Sequence, residues 1–157
     1  MVYILFGVSG SGKTTVGKML SKILQKPFFD ADDYHTSKNI SKMKNMLPLT
    51  DEDRESWLIG LNKLIAKWNH ENGAILACSA LKERYRSMLA VGNNVSFVFL
   101  EGDQKLISKR LTSRKDHLFP IELLQSQYDI LEIPTYGIRV EVDRSPEDIC
   151  KEIYKTI

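Results

Sequence analysis

The sequence predicts an α/β protein in which a doubly wound, five-stranded parallel sheet carries helices on both faces. Short apolar runs suited to buried strands alternate along the chain with longer segments of helical periodicity. No low-complexity linker or internal repeat interrupts this alternation. The chain has 157 residues, 43% of them hydrophobic, which suits one domain over residues 1–157 but leaves no room for a separate substrate domain.

The strands are expected where the apolar runs are short and bounded by turn residues. These runs are residues 2–6, 27–30, 74–78, 95–100 and 139–142. The first of them is too short for a membrane span and has no basic leader before it, so it is interpreted as a core strand rather than a signal peptide.

Helices are predicted between these strands, and residues 32–44 are expected to mix loop with short helix. The helix over residues 15–25 should carry Val16, Met19, Leu20 and Ile23 on one face. A long helix over residues 51–69 can be capped by Thr50. Its apolar stripe consists of Trp57, Leu58, Leu61, Leu64, Ile65 and Trp68. The remaining helices are predicted over residues 81–90, over residues 104–113 after an Asp103 cap, and from Ser145-Pro146-Glu147 onwards.

Composition argues against several classes of partner. The net charge is only +2, from 22 basic and 20 acidic residues, so no nucleic-acid or membrane partner is predicted. Cys78 and Cys150 have neither C-x-x-C spacing nor the density of a disulfide scaffold. They are therefore expected to be reduced thiols, which favours a cytoplasmic protein.

One motif near the start of the chain is the strongest indication of function. Gly7-Val8-Ser9-Gly10-Ser11-Gly12-Lys13-Thr14 fits the phosphate-binding pattern G-x-x-x-x-G-K-[ST], and it lies between a predicted strand and a predicted helix. Backbone N–H groups of such a P-loop and the following helix N-terminus bind phosphate oxygens. A tight turn alone would not need three glycines followed by Lys-Thr. The predicted ATP-binding residues of this loop are Gly7, Ser9, Gly10, Ser11, Gly12, Lys13, Thr14 and Thr15.

The second predicted strand ends in a carboxylate and is followed by others, at the sheet edge where ligands bind in such folds. A kinase needs one carboxylate near magnesium and one near the attacking hydroxyl. Because no acid follows the third strand, Asp30 is predicted to act on Mg²⁺ through water, together with the Thr14 hydroxyl. Asp32 is the predicted acceptor of the hydroxyl proton, although the sequence leaves open whether Asp30 or Asp32 is the main acceptor. Asp33 is predicted to be solvated.

Two arginines four residues apart, Arg110 and Arg114, would share one face at a helix end. One of them could simply complement the helix dipole. With Lys115 and His117 they favour a mobile lid over about residues 114–128 that brings charge to the transferring phosphoryl group. Lys13 and Arg114 are the predicted catalytic clamps, and Arg110 is predicted to stack on adenine beside residues 143–145.

Six segments together resemble the gluconate kinase (gluconokinase) family, and they span nearly the whole chain. They are G-V-S-G-S-G-K-T at residues 7–14, D-A-D-D-Y-H-T-S-K-N-I-S-K-M at 30–43, P-L-T-D-E-D-R-E-S-W-L at 48–58, C-S-A-L-K-E-R-Y-R at 78–86, R-L-T-S-R-K-D-H-L-F at 110–119 and L-L-Q-S-Q-Y-D-I-L-E-I-P at 123–134.

The resemblance implies a core related to shikimate and adenylate kinases, and transfer of the γ-phosphoryl group of ATP to the 6-hydroxyl of D-gluconate. It also favours a homodimer and assigns Asp32 to the sugar hydroxyl. By similarity with shikimate kinases, Arg54 is a candidate for the substrate carboxylate. The substrate-binding segment would be about residues 32–60. The full set of substrate candidates is Asp32, His35, Arg54, Lys82, Arg86, His117 and Gln127.

Alternatives stay open for several of these residues and for the substrate. Lys82 and Arg86 could equally be solvated helix residues, and Arg54 could be a surface residue paired with Asp51 or Glu55. Departures from the family pattern at residues 36, 116 and 118 leave the sugar acid open. A kinase for shikimate or a nucleoside monophosphate, and a non-catalytic nucleotide-binding module, are the rival hypotheses.

Overall fold

A parallel sheet of five strands forms the centre of the computed structural model, which describes residues 1–113 and 121–157. The strands are β1 (Val2–Phe6), β2 (Phe28–Asp30), β3 (Ala74–Ala77), β4 (Val95–Glu101) and β5 (Ile138–Glu141). Their order in the sheet is β2-β3-β1-β4-β5, and every neighbouring pair is parallel. All five predicted strands are therefore present, within one or two residues of their expected bounds.

Seven helices are found in the described residues. They are α1 (Lys13–Leu24), α2 (Ser37–Lys44), α3 (Asp51–His70), α4 (Glu83–Ala90), α5 (Gln104–Ser113), α6 (Glu122–Ile130) and α7 (Pro146–Thr156), and a short 3₁₀ helix covers Ala31–Tyr34. One apolar core lies between the sheet and α3 with α4. A second core lies between the other face of the sheet and α1, α5, α6 and α7. The predicted doubly wound architecture is confirmed.

The long helix α3 begins where the sequence predicted. Thr50 accepts a hydrogen bond from the Asp53 backbone N–H, and the Asp53 carboxylate accepts one from the Thr50 N–H, which makes a complete capping box. Its predicted stripe faces the core, with only Leu64 half-buried. The N-terminus of α3 is thereby fixed, and it lies close to the segment that follows β2.

The apolar face of α1 is not buried over its whole length, because Ile23 is 47% exposed. The buried face of this helix is formed by Val16, Gly17 and Leu20. A Cβ on Gly17 would lie 2.5 Å from the Phe28 ring, so the absence of a side chain there lets the helix approach β2 closely. This approach turns the buried face toward Gly17 and leaves Ile23 at its edge.

Within residues 1–113 and 121–157, no helix combines the length and apolar character needed to cross a membrane. Cys78 and Cys150 are buried and unpaired, in agreement with the predicted reduced thiols.

Candidate active site

The P-loop joins the central strand β1 to α1 and curls around the side chain of Lys13. A Cβ on Gly7, where φ is +148°, would lie 2.7 Å from the Leu100 carbonyl oxygen, so this turn requires glycine. The Lys13 ammonium donates hydrogen bonds of 3.0 Å to the carbonyls of Gly7 and Val8. Burial lowers the pKa of Lys13 from its usual value, and the charge of Asp32 only partly opposes this effect. The loop thus holds a desolvated cation where a phosphate group would bind.

Thr14 and Asp30 lie next to each other at the carboxyl edge of the sheet. The Thr14 hydroxyl donates a hydrogen bond of 3.2 Å to Asp30 Oδ2. The other oxygen, Oδ1, accepts a 3.1 Å hydrogen bond from the Asp32 backbone N–H and caps the 3₁₀ helix. A hydroxyl and a carboxylate are the oxygen donors that Mg²⁺ prefers, so this pair fits the predicted metal site.

A cleft of about 340 Å³ opens in front of the P-loop. One wall is the P-loop itself, and the other consists of residues that follow β2 and β3 together with parts of α2, α3 and α6. Eleven of the residues predicted for ATP, metal or substrate line it: Ser9, Gly10, Gly12, Lys13, Thr14, Thr15, Asp30, Asp32, His35, Arg54 and Gln127.

Asp32 projects into this cleft with 69% of its side chain exposed, whereas the His35 ring is only 4% exposed. The distance from His35 Nε2 to Asp32 Oδ1 is 3.6 Å, slightly longer than a hydrogen bond. Contact with His35, and then the charge of Lys13, hold the pKa of Asp32 below its usual value, although the partial loss of surrounding water inside the cleft opposes this shift. The His35 ring stacks on Trp57 at 4.2 Å between centroids. Asp32 is therefore ionised at neutral pH and can accept a proton.

Arg54 reaches the cleft from the first turn of α3. Its Nη1 donates to the Leu49 carbonyl at 2.6 Å and lies 3.5 Å from the Tyr85 hydroxyl, and the guanidinium lies 5.6 Å from the centre of the Tyr85 ring. In the part of the chain that the structure describes, no ion pair joins Arg54 to Asp51 or Glu55. The structure therefore does not support the alternative that Arg54 is a surface residue paired with a neighbouring carboxylate.

Lys82 does not line the cleft. Its ammonium lies 3.0 Å from Asp51 Oδ1 and 5.6 Å from the centre of the Tyr85 ring. The hydrogen bond to Asp51 raises the pKa of Lys82. The expectation of a direct substrate contact does not fit this placement, because the charge is already neutralised outside the cleft.

Arg86 is placed even further from the predicted role, because its side chain is completely buried. The guanidinium packs 4.9 Å from the centre of the Phe6 ring. It joins the loop after β3 to the segment after α6, and so it is a structural residue rather than part of the pocket. It donates hydrogen bonds to the carbonyls of Ala80 (2.8 Å), Leu81 (3.0 Å) and Glu132 (2.7 Å), to the Glu83 carboxylate (2.8 Å) and to the Tyr136 hydroxyl (3.2 Å).

Gln127 lines the cleft but contacts the P-loop. Its Oε1 accepts a 2.7 Å hydrogen bond from the Ser9 backbone N–H, and its Nε2 donates to Ser9 Oγ at 3.3 Å. The first part of the predicted lid, residues 114–120 with Arg114 and His117, lies outside the described residues. The second part, residues 121–128, contains most of α6, a helix that the sequence analysis did not predict.

Arg110 lies on the other side of the P-loop, beside a second cleft of about 270 Å³. It donates a hydrogen bond to the Val142 carbonyl. Arg144 lines the same cleft, so the loop of residues 143–145 lies beside Arg110 as expected. The remaining residues of this cleft come mainly from the P-loop, α1 and α7: Gly10, Ser11, Gly12, Thr15, Val16, Ser113, Pro146 and Ile149.

Three large apolar residues of the main cleft were not predicted from the sequence. Trp57 was assigned to the core alone, yet it also lines the cleft beneath His35. Met43 and Leu49 received no role, and both line the same cleft. In the sequence, only Leu49 could have been linked to the cleft, because it stands five residues before Arg54. The wall opposite the P-loop is thus more apolar than the motifs suggested.

Comparisons with known proteins agree with this geometry. A model of the shikimate kinase family matches residues 9–156. A probable gluconokinase from Dictyostelium discoideum is 38% identical over 98% of this chain and 84% of its own length. The thermoresistant gluconokinase of Escherichia coli (strain K12) is also 38% identical, over 99% of this chain and 93% of its own length. The crystal structure of a gluconokinase from Sinorhizobium meliloti 1021 matches with a TM-score of 0.87 at 35% identity, over 97% of this chain and 88% of the other. The chain therefore belongs to the gluconokinase family of P-loop kinases.

Proposed function

We propose that this protein is a gluconokinase, which transfers the γ-phosphoryl group of ATP to the 6-hydroxyl of D-gluconate. The observation that carries the proposal is that one cleft combines the P-loop with Asp32 and Arg54 on the opposite wall. The relatives described above, which are named gluconokinases, support the same substrate.

In this proposal the chain acts mainly by positioning the reactants and by neutralising charge, because the transition state of phosphoryl transfer is loose. The P-loop amides and Lys13 bind the phosphate oxygens. Asp32 accepts the proton of the attacking hydroxyl. The O–H bond breaks as the new O–P bond forms, and the bond between the γ-phosphorus and its bridging oxygen breaks to release ADP.

Mg²⁺ would be held by Thr14 directly and by Asp30 through water, and it would neutralise charge on the phosphates. Arg114 and His117 of the lid remain predicted contacts to the phosphoryl group and the substrate. Arg110 remains the predicted partner of adenine, and its place beside the second cleft is compatible with that role.

Arg54 is the proposed partner of the gluconate carboxylate. Its Nη1 is oriented by the Leu49 carbonyl, which leaves the rest of the guanidinium fork for a substrate anion. Another sugar acid or shikimate is the alternative acceptor, because the same fork would bind any carboxylate. A homodimer and a cytoplasmic location complete the proposal, and the buried thiols of Cys78 and Cys150 support a reducing compartment.

A coupled assay of ADP release tests the function. It compares D-gluconate, glucose, shikimate and a nucleoside monophosphate as acceptors, with Lys13→Ala as the catalytic control. We expect the highest kcat/KM for gluconate and a large loss in the variant. A preference for shikimate or the nucleotide would refute the proposed substrate, and ATP binding without turnover on any acceptor would favour the non-catalytic module. Light scattering that gives the mass of one 18.0 kDa chain would refute the dimer.

A further inference from the structure

Asn39 of α2 is a buried amide that connects two parts of the site. Its side chain is almost inaccessible, because the residue is only 1% exposed. Its Nδ2 donates a 2.8 Å hydrogen bond to the Asp53 backbone carbonyl in the first turn of α3. The same nitrogen lies 3.4 Å from Nδ1 of His35. A single amide group therefore contacts both the start of α3 and the ring beside Asp32.

The orientation of this amide follows from its partners. A backbone carbonyl only accepts hydrogen bonds, so the atom of Asn39 that faces Asp53 is assigned as the NH₂ group. That group has two hydrogens, and the second one is available to His35 Nδ1. Since a donor faces Nδ1, this ring nitrogen must be the acceptor. A hydrogen bond across this 3.4 Å contact leaves the ring proton on Nε2.

The position of Asn39 is itself fixed by a buried carboxylate. Asp53 accepts hydrogen bonds from the Lys42 ammonium at 2.6 Å and from the Thr50 N–H at 2.9 Å, and Lys38 lies 3.4 Å away. These contacts hold α2 against the first turn of α3. The Asp53 carbonyl and the Asn39 amide consequently meet at one place.

The other end of the His35 ring faces Asp32. Stacking on Trp57 with an interplanar angle of 14° fixes the ring plane, and Nε2 lies 3.6 Å from Asp32 Oδ1. An N–H at Nε2 attracts the carboxylate, whereas a lone pair there would repel it. Within residues 1–113 and 121–157, the other titratable groups near Asp32 are Lys13, Asp30 and Cys78, and none of them forms a hydrogen bond with His35 Nδ1.

We propose that Asn39 is a positioning residue, which holds His35 in the Nε2–H tautomer and so keeps an N–H directed at the proton acceptor Asp32. The proposal rests on the proposed function, because that function assigns Asp32 to the substrate hydroxyl. Fixing the tautomer of a histidine through the partner of its other nitrogen is a known way to orient a catalytic group. Asn39 acts here through His35 and does not touch the substrate.

The first experiment measures the tautomer without any turnover. Long-range ¹H–¹⁵N spectra of the imidazole rings report which nitrogen carries the proton, and His35→Gln identifies the His35 signals among the three histidines. We expect Nε2–H in the wild-type protein and a gain of Nδ1–H in Asn39→Leu. Asn45→Leu is the matched control, because the Asn45 amide at the end of α2 donates to the Ser41 carbonyl and, among the residues that the structure describes, forms no side-chain hydrogen bond with the cleft. Nδ1–H in the wild-type protein, or an unchanged tautomer in Asn39→Leu, would overturn the proposal.

The second experiment is a double-mutant cycle in kcat. The side-chain amide of Gln can place an N–H near the position of Nε2 and has no tautomers, so in a His35→Gln background Asn39 should no longer matter. We expect Asn39→Leu to lower kcat about tenfold in the wild-type background and less than about twofold in His35→Gln. Equal losses in both backgrounds would show a merely structural role and overturn the proposal.

Two controls keep the outcomes apart. Thermal melts establish whether each variant is folded. If Asn39→Leu does not fold, the tautomer of the wild-type protein and that of the smaller change Asn39→Ala still test the proposal. Full activity of Asp32→Asn would refute the role of Asp32 in the proposed function, whereas the tautomer spectra would stand by themselves. A wild-type Nδ1–H tautomer would refute the inference about Asn39 even if Asp32→Asn were inactive.

Discussion

Replacement of Arg54 by lysine tests the substrate site most directly, because it keeps the charge and removes the planar fork. In the structure Nη1 is already oriented by the Leu49 carbonyl at 2.6 Å and lies beside the Tyr85 hydroxyl. The remaining N–H groups of the guanidinium can therefore bind both oxygens of one carboxylate. A lysine at this position would keep one contact at most.

The expected magnitude follows from the loss of one charge-assisted hydrogen bond. Such a bond contributes about 1.5–3 kcal/mol, which corresponds to a rise of roughly 10- to 150-fold in KM for gluconate. The KM for ATP should change less than about twofold, because Arg54 is not part of the P-loop. The preference for gluconate over glucose, which lacks the carboxylate, should narrow as well.

The assay is coupled ADP release with gluconate or ATP as the varied substrate, together with calorimetric binding of gluconate. Arg84→Lys is the matched control, since Arg84 lies nearby on α4 but is exposed and does not line the cleft. An unchanged KM for gluconate in Arg54→Lys would refute this reasoning and place the carboxylate elsewhere.

Four further outcomes are expected. Lys13→Ala should lower kcat at least about a hundredfold, as expected for a lost transition-state charge contact, and near-normal turnover would argue against the kinase role of the loop. Asp32→Asn should lower kcat roughly a hundredfold with little effect on ATP affinity, while Asp33→Asn should do little; similar behaviour of the two would contradict the assigned roles. Because His35 is the main cause of the lowered pKa of Asp32, His35→Ala should raise that pKa and move the acid limb of the kcat/KM profile to higher pH; an unmoved limb would show that His35 does not tune this carboxyl. Arg86→Met should reduce the free energy of unfolding in urea by about 3 kcal/mol, because the buried Ala80 carbonyl loses its donor and the carbonyls of Leu81 and Glu132 each lose a charged donor. An unchanged urea midpoint would mean that water replaces these bonds.

The sequence predicted the P-loop and the long helix α3 because their signals are local. Gly7, Lys13 and Thr14 belong to one strand–loop–helix unit, so their spacing along the chain already fixes their geometry. Thr50 and Asp53 form a capping box within a single turn. The sequence likewise predicted Asp30 and Asp32 at the edge of the sheet, because Asp30 ends β2 and Asp32 stands two residues further on.

The helix α6 was missed because its start has no capping side chain. Ile121 stands at its N-cap position and provides no side-chain hydrogen bond. The helix has only nine residues, and a helix this short depends on tertiary packing. That packing comes from Leu124 in the second core and from Tyr128, whose hydroxyl donates a 2.6 Å hydrogen bond to the Gly102 carbonyl. Both contacts join parts of the chain that are distant in sequence.

Taken alone, the sequence determined the fold class, the phosphate loop and the carboxylates beside it. The tertiary structure decided which arginine could face the substrate, because Arg54 and Arg86 look alike as single residues in predicted helices. Arg86 is buried among carbonyls that come from the loop after β3 and the segment after α6, whereas Arg54 opens into the cleft. The link from Asn39 to His35 and Asp32 was equally hidden, since it depends on the contact of α2 with α3. A buried polar group takes its role from the partners that satisfy its hydrogen bonds, and only the folded chain brings those partners together.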